Sequence, residues 1–180
     1  MQRFVVISGC SGGGKSTLLT ALQQHGYGVV AEPGLRVIQQ AQESGSCALP
    51  WCDMDLFVEH IIALATTDLA AAKGSHDGIV FFDRGLIDAL AAKQRLHPES
   101  QSLDDSQLSH CYDRCVFLTP PWPEIYEKND DRQHSIEAAT AEYEHLLQVY
   151  AQLGYHIHLL PKTSVQKRVD FVLHHLALTA

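Results

Sequence analysis

The sequence predicts an α/β fold, a three-layer, doubly wound, parallel five-stranded sheet formed by one domain over residues 1–180. Three observations point to it. Short apolar runs at 4–7, 28–31, 79–82 and 115–118 and an alternating stretch at 155–160 are separated by stretches of helical spacing, the pattern of parallel βαβ units. The run Ile79-Val80-Phe81-Phe82 has no polar interruption, as a strand covered on both faces requires. Residues 9–16 satisfy G-x-x-x-x-G-K-[ST] directly between the first apolar run and the first helical stretch.

That loop is the first element to justify. Gly9, Gly12, Gly13 and Gly14 leave no Cβ in the way, so successive backbone N–H groups can curl round a phosphate at the positive end of a helix. Gly9, Cys10, Ser11, Gly12, Gly13, Gly14, Lys15, Ser16 and Thr17 are therefore the candidate phosphate-binding residues. Lys15 adds a point charge for the β- and γ-phosphates. Ser16 offers a hydroxyl to Mg²⁺, an ion that takes few protein oxygens and keeps water and phosphate in the rest of its shell. Leu18, Leu19 and Leu22 then carry the apolar face of a helix that ends at Gly26.

The second strand, 28–31, finishes at Glu32-Pro33, and a helix over about 34–43 dissolves at Ser44-Gly45-Ser46. Asp53 can cap the next helix, 54–73, whose broad apolar stripe predicts that it is largely buried. The third strand ends at Asp83-Arg84-Gly85 and a helix follows over 86–96. A short acidic helix around 104–112 leads to the fourth strand, which stops at Thr119-Pro120-Pro121. One or two helical turns over 124–128 open a polar segment, and the lid is expected at about 124–135. Ser135 caps a long helix closed by Gly154. After the fifth strand, Thr163-x-x-Gln166 reads as a capping box before a last helix over 164–178.

Ligands of open α/β sheets lie outside the carboxyl ends of the strands. Glu32, Asp83 and Arg84 all fall there, beside the glycine-rich loop. Asp83 is the candidate second Mg²⁺ ligand, held directly or through water. Glu32 is placed to take a proton from an acceptor hydroxyl or to orient a water. Arg36, four residues beyond Glu32, is expected to pair with it or to reach the acceptor. Arg84 either binds phosphate or bridges to Asp88. Arg132, in the polar segment, is the candidate lid cation for the transferring phosphoryl group. Trp51 and Trp122 neighbour prolines and either pack or wall an acceptor pocket.

A net charge of -8 over 180 residues argues against nucleic-acid and membrane-surface partners, which need an extended basic face. The N-terminal residues carry no long apolar core, so a cytoplasmic protein is expected. In that compartment most of the five cysteines, at 10, 47, 52, 111 and 115, are expected as free thiols. No spacing speaks to oligomeric state.

Arg84 stands where motor-type ATPases place a water-activating Glu, and no Asn-Lys-x-Asp guanine-reading motif occurs. An Asp-Arg pair closing strand three, a Glu-Pro closing strand two and an Arg-bearing lid before a long helix resemble the nucleoside and nucleotide kinases. The chain also resembles, nearly end to end, the small P-loop ATPases that carry an AAA domain label. That likeness runs through Glu32-Pro33-x-x-Arg36, Pro50-Trp51, Phe57, Phe82-Asp83-Arg84-Gly85-x-x-Asp88, Asp131-Arg132, Gly154-Tyr155 and Pro161. The layout is similar to bacterial nicotinamide riboside kinases. The resemblance implies a P-loop NTPase fold, the kinase-like strand order 2-3-1-4-5, and ATP as the nucleotide.

The expected activity is Mg²⁺-dependent transfer of the γ-phosphoryl of ATP to a small hydroxyl-bearing acceptor. Lys15, Arg132 and the metal would act on the phosphates and Glu32 near the acceptor. A slow NTPase and a nucleotide-gated binding module are the alternatives.

Overall fold

The pleat of the central strand decides how the layers divide. The computed structural model describes residues 2–74, 77–99, 108–125 and 135–177. Strand β1 (Arg3–Gly9) lies between β3 (Ile79–Asp83) and β4 (Cys115–Thr119), with β2 (Gly28–Val30) and β5 (His156–Leu159) outermost. The sheet order is β2-β3-β1-β4-β5 and every pairing is parallel. Successive side chains of a strand face opposite ways. Val5, Ile7, Phe81 and Phe117 accordingly meet α1 (Lys15–Gln24) and α6 (Val165–Ala177) through Leu18, Leu22, Val169 and Val172. Val6, Phe82, Val116 and Leu118 meet α4 (Leu86–Leu96) and α5 (Ile136–Gln152) through Ile87, Leu146 and Tyr150. Phe81 and Phe117 are wholly buried, and truncating such a ring to Ala costs about 3–5 kcal/mol.

Helices α2 (Pro33–Ser44) and α3 (Met54–Ala72) build a satellite core of Val37, Ala41 and Ala48, flanked by Phe57 and Ile61. Asp53 caps α3 by accepting from Leu56 N–H at 3.0 Å, as its position predicts. The expected deep burial of α3 is not found. Only Val58, Ala65 and Ala72 are buried along it, because α3 packs chiefly on α2 and α4 and meets the sheet-side core through Leu69 and Ala72 near its end.

Ser135 caps α5 through Ala138 N–H at 3.3 Å. The capping box at the last helix is a second correction: α6 starts at Val165, and Gln166 donates to Asp170 at 3.0 Å instead of reaching back. The expected helix around 104–112 is, within the described residues, a single 3₁₀ turn, Leu108–His110. Another 3₁₀ turn, Pro123–Ile125, stands where helical turns were expected, and the rest of the lid segment lies outside the described residues. Cys47 and Cys52 form a disulfide across the α2–α3 connection, and Cys10, Cys111 and Cys115 stand outside any disulfide. Among the described residues no helix is long and apolar enough to cross a membrane.

Candidate active site

The glycine-rich loop leaves β1 and turns back into α1 along the end of β4. Cys10 N–H donates to Thr119 O at 2.8 Å, which ties the loop's start to the neighbouring strand. The approach tolerates no side chain. A Cβ on Gly9 would lie 2.4 Å from Thr119 O, and one on Gly13 would lie 2.6 Å from Thr119 Cβ. Gly14, at φ 77°, precedes α1 with no side chain capping the helix, so the first-turn N–H groups are left for another acceptor. Lys15 is 6% exposed and donates to Cys10 O at 3.3 Å. Burial pushes its ammonium pKa down and Arg84 adds to this, while Asp83, Glu32 and Glu142 oppose it. Ser16 and Thr17 are exposed on the first turn.

Asp83 and Arg84 end β3 beside this loop. Arg84 takes φ 60°, a left-handed conformation uncommon for a residue with a Cβ. Its N–H is tied to Ile7 O at 3.0 Å, and its guanidinium is surrounded by carboxylates. Nη1 lies 2.6 Å from Glu142 Oε1 and 3.6 Å from Asp88 Oδ1, and Nε lies 3.4 Å from Glu32 Oε1. Burial alone would lower the Arg84 pKa, but Glu142, Glu32, Asp88 and Asp83 together raise it. Burial likewise would lift Glu142, and Arg84 and Lys15 overcome that and hold it low.

Asp88 is consumed as an anchor. Ser8 Oγ donates to its Oδ1, and its Oδ2 accepts from Gly85 N–H at 3.0 Å and Tyr150 OH at 2.7 Å. Asp83 differs: its Oδ1 is buried with no hydrogen-bond partner among the described residues. Burial, eased by Lys15 but reinforced by Glu32, lifts its carboxyl to about 6. A buried carboxylate oxygen without a donor, beside a loop suited to phosphate and the exposed Ser16 hydroxyl, fits a hard cation such as Mg²⁺.

The structure thus brings Lys15, Glu32, Asp83 and Arg84 into one electrostatic cluster, each acting on the others. Arg36 is not part of it. Its Nη1 pairs with Asp68 at 2.7 Å, linking α2 to α3, in place of the expected pairing with Glu32, whose partner is Arg84. Of the two readings of Arg84, the bridge to Asp88 is present, with Glu142 closer. Arg132 lies outside the described residues. Trp51 is 49% exposed, and Trp122 lies under the Arg168 guanidinium, 5.9 Å from Cζ to the ring centre.

Sequence reasoning missed Glu142, Thr119 and Arg168. Nothing in the spacing of α5 singles out Glu142 among its acidic residues. Arg168 did leave a trace, because it occupies an apolar-stripe position with Val165, Val169 and Val172, where a charge needs a partner.

This parallel sheet, with its loop between β1 and α1 and its acidic strand tips, defines a P-loop nucleotide-binding protein with a kinase-like strand order. A model of the AAA domain family matches residues 4–168, and the chain belongs to that family. A nucleotide-binding protein of Sorangium cellulosum is 32% identical over 103 residues, 53% of this chain and 29% of that relative's length. The NadR protein in complex with NR superposes with TM-score 0.74 at 16% identity, covering 97% of this chain and 50% of that one. Deoxyadenosine kinase from M. mycoides with bound dATP gives TM-score 0.67 at 15% identity, covering 97% and 99%. Shikimate kinase from Acinetobacter baumannii in complex with shikimate gives 0.58 at 12%, covering 99% and 95%. At these identities the likeness is one of fold.

Proposed function

We propose that the chain is a cytoplasmic, ATP- and Mg²⁺-dependent kinase that phosphorylates a hydroxyl group of a small molecule. The observation that carries this reading is the Glu32–Arg84 pair, 3.4 Å apart, at the strand ends beside Lys15 and Asp83. Arg84 holds Glu32 in place and keeps a positive charge next to it, and Glu32 keeps a quarter of its side chain exposed, open to an acceptor. The likeness in fold to kinases solved with small hydroxyl-bearing ligands supports the same direction.

In this mechanism the loop N–H groups and Lys15 bind the triphosphate, and their fixed dipoles meet charge as it spreads over the γ-phosphoryl oxygens. Ser16 and Asp83 would hold Mg²⁺, which supplies charge neutralisation across the β- and γ-phosphates. Glu32 accepts the acceptor's hydroxyl proton as that oxygen bonds to the γ-phosphorus, and the bond to the bridging oxygen breaks to release ADP. Asp88 takes no proton in the step, since Ser8, Gly85 and Tyr150 occupy it and it serves to fix Arg84.

The test is ADP release with Mg²⁺-ATP across a panel of nucleosides, nucleotides and small polyols. Acceptor-dependent ADP formation that vanishes in Glu32→Gln supports the kinase. Turnover indifferent to every acceptor would instead make the protein an NTPase, and binding without turnover would make it a nucleotide-gated module.

A further inference from the structure

We infer that Arg168 is a positioning residue for the phosphate cradle, a fork on α6 that sets the direction of the loop's N–H groups. The inference rests on the reading of residues 9–16 as a triphosphate site. Arg168 lies 154 residues beyond Gly14 in sequence, yet Nη1 donates to Gly14 O at 3.1 Å and Nη2 donates to Gly13 O at 3.1 Å. Two parallel donors on one planar group fix two successive peptides at once.

The direction follows from peptide geometry. In a trans peptide the C=O of one residue and the N–H of the next point opposite ways. Holding the Gly13 carbonyl towards α6 therefore turns the Gly14 N–H away from α6, and holding the Gly14 carbonyl does the same to the Lys15 N–H. These N–H groups belong to the uncapped start of α1, where an anion would sit. Glycine gives these peptides freedom to rotate, and the guanidinium removes it. The fit is close, since a Cβ on Gly14 would lie 2.7 Å from Nη1.

A second observation concerns charge. Arg168 is 2% exposed, and among the described residues no carboxylate pairs with it and its Nε has no hydrogen-bond partner. A buried cation of ordinary structural purpose is paired with an acid. This one rests on carbonyl oxygens and on the Trp122 ring, so its field at the loop is not cancelled by a counter-ion. A bound triphosphate supplies the missing negative charge.

The experiment is calorimetric titration of the full chain with Mg²⁺-ATP and with Mg²⁺-tripolyphosphate, which lacks base and sugar. If the wild-type chain binds neither, the reading of residues 9–16 is wrong and the inference falls with it, an outcome distinct from a failure at Arg168 alone. Given wild-type binding, Arg168→Ala and Arg168→Lys each weaken both ligands by more than about fivefold and by the same factor, the scale of losing charge-assisted hydrogen bonds. Val172→Ala, a loss of packing on the same helix, leaves tripolyphosphate affinity within about twofold. Ethylguanidinium added to Arg168→Ala restores tripolyphosphate binding, which a general loosening of α6 would not allow. Should Arg168→Ala fail to fold by circular dichroism, Arg168→Lys decides. Wild-type tripolyphosphate affinity in Arg168→Lys, or a loss seen with ATP alone, overturns the inference, the latter because it assigns Arg168 to the base.

Discussion

Lys15 and Arg84 are both buried cations at the carboxyl end of the sheet, and burial leaves them in opposite conditions. Among the described residues Lys15 has only the Cys10 carbonyl as its hydrogen-bond acceptor, and its pKa is pushed down by desolvation. Arg84 is ringed by Glu142, Glu32 and Asp88, and its pKa is pushed up despite the same desolvation. The comparison separates the work of the two halves of the crevice. The Lys15 half has unspent positive charge and open N–H groups, so it favours an arriving anion. The Arg84 half is crowded with carboxylates, which hold its guanidinium beside Glu32.

The sharpest way to break this division is at Lys15. Lys15→Ala is expected to weaken Mg²⁺-ATP binding by more than about a hundredfold in calorimetry, the size expected when a buried charge–phosphate contact is lost. Its melting temperature should not fall, because the ammonium was buried at a cost. Retained affinity would mean that the unspent charge is not what draws the nucleotide. Glu32→Gln tests the other half. Acceptor-dependent turnover should drop by about 10²–10⁴, the usual worth of a general base, while ATP affinity measured alongside stays within about twofold. Equal losses in both quantities would erase the distinction between the halves.

Asp83 extends the contrast between the two halves to pH. Its folded-state carboxyl titrates at about 6, above the ordinary 3.8, so the folded chain binds this proton more tightly than the unfolded chain. Stability from this group is therefore fullest below about pH 4 and is lost as pH rises through about 6, a penalty near pH 7 of about 3 kcal/mol at most. Asp83→Asn should flatten that decline in a melting series from about pH 4 to 7 and abolish the Mg²⁺ dependence of ATP binding. An unchanged series would place the proton on another group. The smallest effect belongs to Arg36→Ala, which removes a partly exposed pair with Asp68 and should cost no more than about 1 kcal/mol in denaturant unfolding, with turnover unaltered. A large loss of turnover there would return Arg36 to the acceptor site.

The two halves also differ in how far they could be read from the chain. Residues 9–17 form a contiguous stretch, and the glycines, Lys15 and Ser16 stand where the spacing requires. Asp83 and Glu32 were legible because strand ends in parallel sheets converge on one edge. The partners of those residues were not. Arg36 and Arg84 both lie within reach of an acid at helical spacing or across the crevice, and local sequence does not choose between Glu32 and Asp68 for one or among Asp88, Glu32 and Glu142 for the other. The deep burial expected of α3 missed for a related reason: an apolar stripe says which face is covered and not what thickness of protein covers it.

The strand and helix alternation, the parallel sheet, the phosphate loop and the acidic strand tips are written locally in the chain, because period and backbone freedom are properties of neighbouring residues. Folding in three dimensions was needed to show that Glu142 and Glu32 share Arg84, that Asp88 is occupied by Ser8, Gly85 and Tyr150, and that Arg168 reaches back to the Gly13 and Gly14 carbonyls. Those pairings join residues from separate helices and strands, and their choice depends on distances and burial that exist only once the layers have closed.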